Sequence, residues 1–139
     1  MPAGAVIKLS SPATQEFWEV PVVHEDEHLL AVAKPARLLS SPDRYDPQRP
    51  NLMRLLHDGI AQGATWARQL NLTYLANAHR LDFETSGVLL LAKTKPALIA
   101  LANEFGSNQP RMTCLALTRG MPAQPEFTVD APIGPQTRQ

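Results

Sequence analysis

Residues 75–92, LANAHRLDFETSGVLLLA, place a polar loop between two apolar segments. Residues 75–78 and 88–92 predict short buried strands, because both are brief apolar runs bounded by polar turn formers. The loop between them, residues 79–87, concentrates charged and hydroxyl side chains. A polar loop held by strands on both sides is a common location for functional side chains. We therefore expect the functional site in this loop.

The flanking segments predict further strands and two main helices. Asn51 and Thr94 are suited to N-cap helices, because their side-chain oxygens can accept from the first-turn N–H groups. Gly63 and Gly106 are suited to end those helices, and residues 66–70 predict one further helical turn. Branched and aromatic residues predict four more strands, at residues 18–23, 29–34, 112–118 and 127–129. Most connections are too short for parallel crossovers, so we predict an α+β fold with a mixed, largely antiparallel sheet.

The length of 139 residues suits one domain. Residues 1–15 have little periodicity and predict a flexible N-terminal arm, which leaves residues 16–139 for the domain. The longest apolar run has six residues, Ala97–Ala102, whereas a membrane-spanning helix needs about 20. No signal peptide is visible at the N-terminus, and Cys114 is the one cysteine, so no internal disulfide can form. These features predict a cytoplasmic protein without membrane association.

Charge is unevenly distributed although the net charge is zero. Residues 33–95 contain nine basic and five acidic residues, whereas residues 1–32 contain one basic and five acidic residues. The middle of the chain can therefore present a modest surface that attracts anions. Composition alone does not identify nucleic acid as the partner.

A zinc site is one hypothesis for the chemistry. His24-Glu25-Asp26-Glu27-His28 matches H-E-x-x-H, in which two histidines one helical turn apart bind zinc. That geometry requires a helix, but Pro21 and two valines precede the motif and a strand-like run follows it. The context favours an acidic turn between strands, and nothing selects His57 or His79 as a third ligand.

Asp82 is the second candidate. Arg80 and the Thr85-Ser86 pair can supply the positive charge and hydrogen-bond donors that an ionised carboxylate needs. Carboxylates in such settings can act as covalent nucleophiles. Alternatively, the Asp82 side chain only accepts from the backbone N–H of Glu84 or Thr85 in an Asx turn. The residues alone leave both interpretations open.

Three segments resemble one family. The segment HRLDFETSGVLLLAKTKPAL, residues 79–98, is similar to the catalytic signature of the RluA-type pseudouridine synthases. Upstream, EDEHLLAVAKPARLL at residues 25–39 resembles the first motif of this family, and TCLALTRG at residues 113–120 resembles a later strand. The order and spacing of all three agree over roughly residues 20–134, which makes the match far more specific than a lone HRLD.

The resemblance implies an isomerase that converts uridine to pseudouridine in structural RNA, ribosomal or transfer, without cofactor or metal. Asp82 matches the catalytic aspartate, which attacks the target nucleoside. Arg80 matches the arginine that enters the RNA beside the flipped base, and His79 and Lys34 are implied as further RNA-binding residues. The remaining motif residues are implied to support the site: Pro35, Leu81, Thr85, Ser86 and Gly87.

The sequence departs from the family pattern at several positions. Arg37 stands where the family usually has glycine. If this position requires positive φ, an arginine there costs about 1 kcal/mol or more, while it can add a charge that faces RNA. Met112 and Cys114 replace the lysine and the base-stacking tyrosine of the later strand. The basic partner of the catalytic aspartate belongs to a motif beyond Gln139, so the match implies the N-terminal part of a catalytic domain.

These departures keep a second hypothesis open, a catalytically inactive fragment that binds RNA. Its binding would depend on exposed cations, and such binding weakens steeply as salt rises. The candidate cations are Lys34, Arg37, Arg44, Arg80, Lys93 and Lys95.

Overall fold

The computed structural model describes residues 4–135. The elements in this range follow the order β1 Val6–Ser11, β2 Glu16–Glu25, β3 Leu29–Lys34, α1 Leu52–Ala61, α2 Thr65–Gln69, β4 Ala76–Asn77, β5 Gly87–Ala92 and α3 Lys95–Gly106. The strands form one sheet in the order β1-β2-β3-β5-β4, and all the ladders between them are antiparallel. The predicted α+β class with two main helices is confirmed.

Strand β1 corrects the prediction of a flexible arm over residues 1–15. It pairs with β2 from Val6 opposite Pro21 to Ser11 opposite Glu16. Its side chains alternate between exposed and buried, and Ile7 and Leu9 enter the core. A segment this short with alternating apolar residues is stable as a strand here because it pairs with β2 and packs its apolar side chains into the core. Residues 1–3 lie outside the described range.

Strands β3 and β5 form the centre of the sheet. Leu30 and Val32 on β3, together with Leu89 and Leu91 on β5, have no exposed surface. The two strands pair along their whole length, from Leu29 opposite Ala92 to Lys34 opposite Gly87. This register brings the end of β3 beside the start of β5, so the loop after one strand meets the loop before the other. Both strands were predicted, and β5 begins one residue earlier than expected.

Helix α1 begins at the predicted cap. The Asn51 side chain accepts a hydrogen bond of 2.9 Å from the Arg54 backbone N–H, and this satisfies a donor that has no partner within the helix. Leu52 and Leu56 are buried against the sheet. The Trp66 indole of α2 crosses α1 at Gly59, where a Cβ would lie 2.2 Å from the indole Cζ2. The absence of a side chain at Gly59 therefore lets the two helices approach.

Helix α3 also begins as predicted, because Thr94 Oγ1 accepts from the Ala97 N–H at 3.2 Å. None of its residues is buried, and Ile99 on its predicted apolar face is 55% exposed. The apolar face is therefore only partly covered. Within residues 4–135, no helix has the length and apolar character required to cross a membrane.

The predicted strands at residues 112–118 and 127–129 are wrong for this structure. Residues 111–135 are exposed, and within the described chain they pair with no strand. Leu115 and Leu117 have fully exposed side chains. A strand needs a ladder partner, and the outer strand at the β5 side of the sheet, β4, offers only two residues.

Candidate functional site

Two loops meet at the ends of β3 and β5. The first loop, residues 35–41, follows β3, and the second loop, residues 78–86, connects β4 to β5. Asp82 lies on the second loop, in a turn closed by a 3.0 Å hydrogen bond from the Thr85 N–H to the Asp82 main-chain oxygen. The Asp82 side chain is exposed and makes no hydrogen bond within residues 4–135. The Asx-turn alternative is therefore wrong, and the carboxylate is open to a ligand.

Hydrogen bonds from the first loop hold the chain on both sides of Asp82. The Ser40 hydroxyl donates to the Leu81 carbonyl at 2.6 Å and accepts from the Leu81 N–H at 3.0 Å. The Arg37 N–H donates to the Phe83 carbonyl at 2.6 Å. Since Leu81 and Phe83 flank Asp82 in the chain, these contacts fix the backbone position from which the carboxylate projects.

Lys34 lies beneath this pair of loops and is only 1% exposed. Its ammonium donates to the Pro35 carbonyl at 2.8 Å and to the Leu38 carbonyl at 2.6 Å. Burial lowers the pKa of Lys34, and the nearby charge of Asp82 opposes that shift. Lys34 therefore shapes the first loop and places a positive charge near Asp82. Its predicted role as a direct RNA contact is wrong, because the side chain is inaccessible.

His79 is also used within the fold. Its Nε2 accepts from the Leu90 N–H at 2.9 Å, and its ring stacks on Phe105 with centroids 4.4 Å apart. Burial lowers the pKa of His79, and its buried Nδ1 has no partner among the described residues. An acceptor at Nε2 requires the neutral ring. The ring therefore connects the second loop to β5 and α3, and the role of His79 as an RNA contact stays a prediction.

The Asn77 side chain connects the end of the first loop to the start of the second loop. Its side-chain amide donates to the Ser41 hydroxyl at 2.9 Å and to the His79 carbonyl at 3.0 Å. Neither Ser40 nor Asn77 was predicted as a site residue. Ser40 and Leu81 are 41 positions apart in sequence, so no local pattern indicates that they meet.

The exposed surface of the two loops is rich in arginine. Arg37 and Arg80 are exposed, as is Arg44 farther along the segment before α1, and their side chains make no ion pair within residues 4–135. Arg49 lies 4.5 Å from the centroid of the Phe83 ring and bonds Asp43 at 3.2 Å. Unpaired guanidinium groups beside an exposed carboxylate form a surface suited to a polyanion.

Two further cations from the binding hypothesis lie elsewhere. Lys93 is mostly buried and pairs with Glu25, so it is not free to bind RNA. Lys95 is exposed at the start of α3. The Lys93 hydrogen bond is the main reason that the pKa of Glu25 is lowered.

Backbone conformation at two site positions is unusual. Arg37 has φ of 64°, so an arginine at this position carries the conformational cost of the left-handed region. Gly87 has φ of 145°, which a residue with a side chain rarely adopts, and it starts β5 immediately after the second loop.

The other motif residues differ in exposure. Thr85 and Ser86 are exposed beside Gly87. Pro35 is half-buried, and Leu81 is buried in the core.

Met112 and Cys114 do not reach these loops. Both lie in the exposed segment after α3, where residues 111–135 pair with no described strand. The position that matches the family tyrosine is therefore not brought to Asp82 in this structure.

The zinc hypothesis is wrong. His24 lies on β2, and the next residues form a turn in which Asp26 accepts from the N–H groups of His28 and Leu29 at 2.8 Å each. A hydrogen bond from His24, followed by these backbone bonds, lowers the pKa of Asp26. The two histidines do not share a helix face. Within residues 4–135, no cluster of three His, Cys, Asp or Glu residues could hold a metal ion.

Comparison with known proteins identifies the family. The family described as RNA pseudouridylate synthase matches residues 28–139. The chain is 33% identical over 119 residues to the dual-specificity RNA pseudouridine synthase RluA of Salmonella typhi, covering 86% of this chain and 48% of that protein. It is 34% identical over 131 residues to the ribosomal large subunit pseudouridine synthase D of Zymomonas mobilis, covering 91% of this chain and 39% of that protein.

Among solved structures, human RNA pseudouridylate synthase domain containing 4 is similar, with 25% identity and a TM-score of 0.46 over 63% of this chain and 30% of that one. The chain spans about half the length of the curated relatives it matches, or less. The family match includes both loops of the site and Asp82 between β4 and β5. The chain therefore belongs to the RNA pseudouridylate synthase family, and it resembles the RluA type.

Proposed function

We propose that this chain carries the nucleophile of an RNA pseudouridine synthase and that Asp82 is that nucleophile. The observation that carries the proposal is an exposed carboxylate without a hydrogen-bond partner in the described range, on a turn held at both neighbouring residues. A carboxylate used only for structure would be expected to accept from nearby N–H groups. A rigid backbone around a free carboxylate favours attack at one defined position.

The proposed reaction is an isomerisation that needs no external reactant. The Asp82 carboxylate forms a bond to ribose C1′ as the bond between C1′ and uracil N1 breaks, and the electron pair of the broken bond leaves with the uracil. The uracil turns and C5 forms the new bond to C1′, which releases the carboxylate. The C5 hydrogen leaves to solvent as a proton and N1 gains a proton, so atoms and electrons balance.

Arg80 is the proposed residue that enters the RNA. It is exposed two residues before Asp82, and its neighbour Leu81 is fixed by Ser40. A uridine must leave the base stack before an enzyme can reach its sugar bond, and a side chain that fills the gap lowers that cost. Arginine suits this role because its planar group stacks on bases and binds phosphate.

The proposed substrate is a structural RNA of the cytoplasm, ribosomal or transfer. One relative is named a dual-specificity RNA pseudouridine synthase, and another is named a ribosomal large subunit pseudouridine synthase. The arginines on the two loops support a polyanionic partner, and the solitary cysteine suits a reducing compartment.

Tritium release from RNA labelled at uracil C5 tests the proposal, with the 139-residue chain compared with Asp82→Asn. We expect release by the parent chain and none by the variant, because an amide has the same shape but is a poor nucleophile. Asp58→Asn, which changes an exposed aspartate on α1, is the matched control and should retain release. Equal release by Asp82→Asn would contradict the assignment. Salt-sensitive RNA binding without release would support the inactive fragment instead.

A further inference from the structure

Arg37 has a backbone conformation that its side chain does not favour. Its φ of 64° lies in the left-handed region. There, a Cβ approaches the following carbonyl oxygen, so most residues avoid this region and glycine enters it freely. An arginine is therefore a costly choice at this position, and the fold alone would favour glycine.

The fold uses the backbone of Arg37 but not its side chain. The Arg37 N–H donates to the Phe83 carbonyl at 2.6 Å, a bond that glycine could make equally well. The guanidinium is exposed and has no hydrogen bond, ion pair or ring contact within residues 4–135. Glu84, on the same turn as Phe83, forms no ion pair with it. Nothing that the side chain does in the described structure offsets the backbone cost.

The position of Arg37 relative to Asp82 indicates which part of a bound RNA the guanidinium can contact. The bond to Phe83 places Arg37 one residue from Asp82 on the opposite loop. A nucleotide with its sugar at Asp82 carries a phosphate on each side of that sugar. Guanidinium donates two parallel hydrogen bonds to phosphate, and contacts of this kind fix the register of a nucleic acid.

From these observations we infer that Arg37 binds an RNA phosphate adjacent to the target uridine, at the expense of stability. The inference rests on the proposed function because it takes RNA as the ligand of the site. It adds a residue that positions the nucleotide for Asp82. Arg37 and Arg80 would then hold the RNA from the two opposite loops.

Arg37→Gly tests the inference, because we expect this variant to have a higher melting temperature but a lower affinity for RNA. Glycine relieves the left-handed strain, so we expect the melting temperature to rise. Affinity for a short RNA hairpin with uridines in its loop should fall roughly tenfold at low salt, as expected for one lost charge-assisted contact. The slope of log affinity against log salt should become shallower by about 0.7–0.9, the value for one phosphate contact.

Two control variants separate strain from charge. Asn71→Gly relieves the same kind of strain, since Asn71 has φ of 51° at the end of α2, and it should leave RNA affinity unchanged. Arg68→Ala removes an exposed arginine from α2 and should leave the salt slope unchanged. Arg37→Lys should retain most of the salt slope, because it keeps the charge.

Unchanged affinity and salt slope in Arg37→Gly would overturn the inference, and so would an equal loss in Arg68→Ala. Failure of the parent chain to bind the hairpin would also overturn it. The Asp82→Asn comparison is independent of these results. Loss of affinity in Arg37→Gly with unchanged tritium release in Asp82→Asn would support the Arg37 contact and refute only the nucleophile.

Discussion

Replacement of Ser40 by alanine tests whether the two-loop arrangement positions Asp82. The Ser40 hydroxyl is the described partner of both the Leu81 N–H and the Leu81 carbonyl, at 3.0 Å and 2.6 Å. Ser40 is 1% exposed and Leu81 is 9% exposed, so water has little access to either residue. Ser40→Ala therefore leaves a buried donor and a buried acceptor unsatisfied.

The expected loss of stability in Ser40→Ala follows from the two unsatisfied groups, the Leu81 N–H and the Leu81 carbonyl. A buried polar group that loses its partner costs about 1–3 kcal/mol, so the loss of two such bonds in Ser40→Ala should lower the free energy of unfolding by about 2–6 kcal/mol. The free energy of unfolding of a domain of this size is about 5–15 kcal/mol, so we expect the Ser40→Ala variant still to fold. The freed turn can then shift, and a displacement of about 1 Å at a reacting group can reduce the rate about 100-fold.

Denaturant unfolding and tritium release measure these effects separately. We expect a lower unfolding midpoint and a 10- to 100-fold lower rate of release, roughly, with little change in the Michaelis constant. Release should be measured under conditions in which unfolding curves show that the variant is fully folded. A rate defect that persists there reports displacement of Asp82 and not loss of folded protein.

Ser107→Ala is the matched control, because Ser107 makes one exposed hydroxyl bond, to the Asn103 carbonyl at 2.7 Å. Its effect on stability should be within about 0.5 kcal/mol. The reasoning is refuted if Ser40→Ala matches Ser107→Ala in both unfolding and release. Lost stability with an unchanged rate would show that Ser40 stabilises the loops without positioning Asp82.

Two further predictions concern packing and pH. Gly59→Ala should destabilise the fold by about 1–3 kcal/mol in thermal unfolding, because the new Cβ would lie 2.2 Å from the Trp66 ring. Burial lowers the pKa of His79 from its ordinary 6.5, so below about pH 6.5 the unfolded chain binds more protons at this residue than the folded chain. Stability should therefore fall as pH decreases from about 7 to 5, and His79→Gln should reduce that fall in urea unfolding.

Controls are available for both predictions. Gly106→Ala introduces a Cβ that meets nothing within 4 Å, so a comparable loss in that variant would argue against the Trp66 clash. His57→Gln removes another histidine, whose Nε2 contacts the Leu75 carbonyl at 2.7 Å. If the pH dependence disappears in His57→Gln and persists in His79→Gln, the explanation based on His79 is wrong.

Local patterns predicted much of the fold. The caps Asn51 and Thr94 begin α1 and α3 as expected, because a cap interacts with N–H groups only a few residues away. The bounds of β3 were predicted correctly, since its apolar run and Pro35 mark the strand within the sequence itself. The strand at residues 6–11 was not predicted, because its short alternating pattern forms a strand only through pairing with β2.

The candidate site was predicted less completely. The motif around Asp82 identified the loop and the family, whereas the positive φ of Arg37 was established only by the structure. Lys34 and His79 were expected to face RNA, but the Lys34 ammonium and the His79 Nε2 atom bond within the protein. Residue type indicates that a side chain can bind phosphate, whereas its accessibility depends on neighbours that are distant in sequence.

Local sequence patterns are enough to predict the α+β class, the helix starts, the central strands and the identity of the residue proposed as nucleophile. Each of these depends on residue types within a few positions of one another. By contrast, three features become visible only in the folded chain: Ser40 bonds Leu81, Lys34 is buried, and the Asp82 carboxylate is exposed. Those outcomes depend on contacts between segments tens of residues apart, and the burial of a polar group is fixed only when both segments are in place.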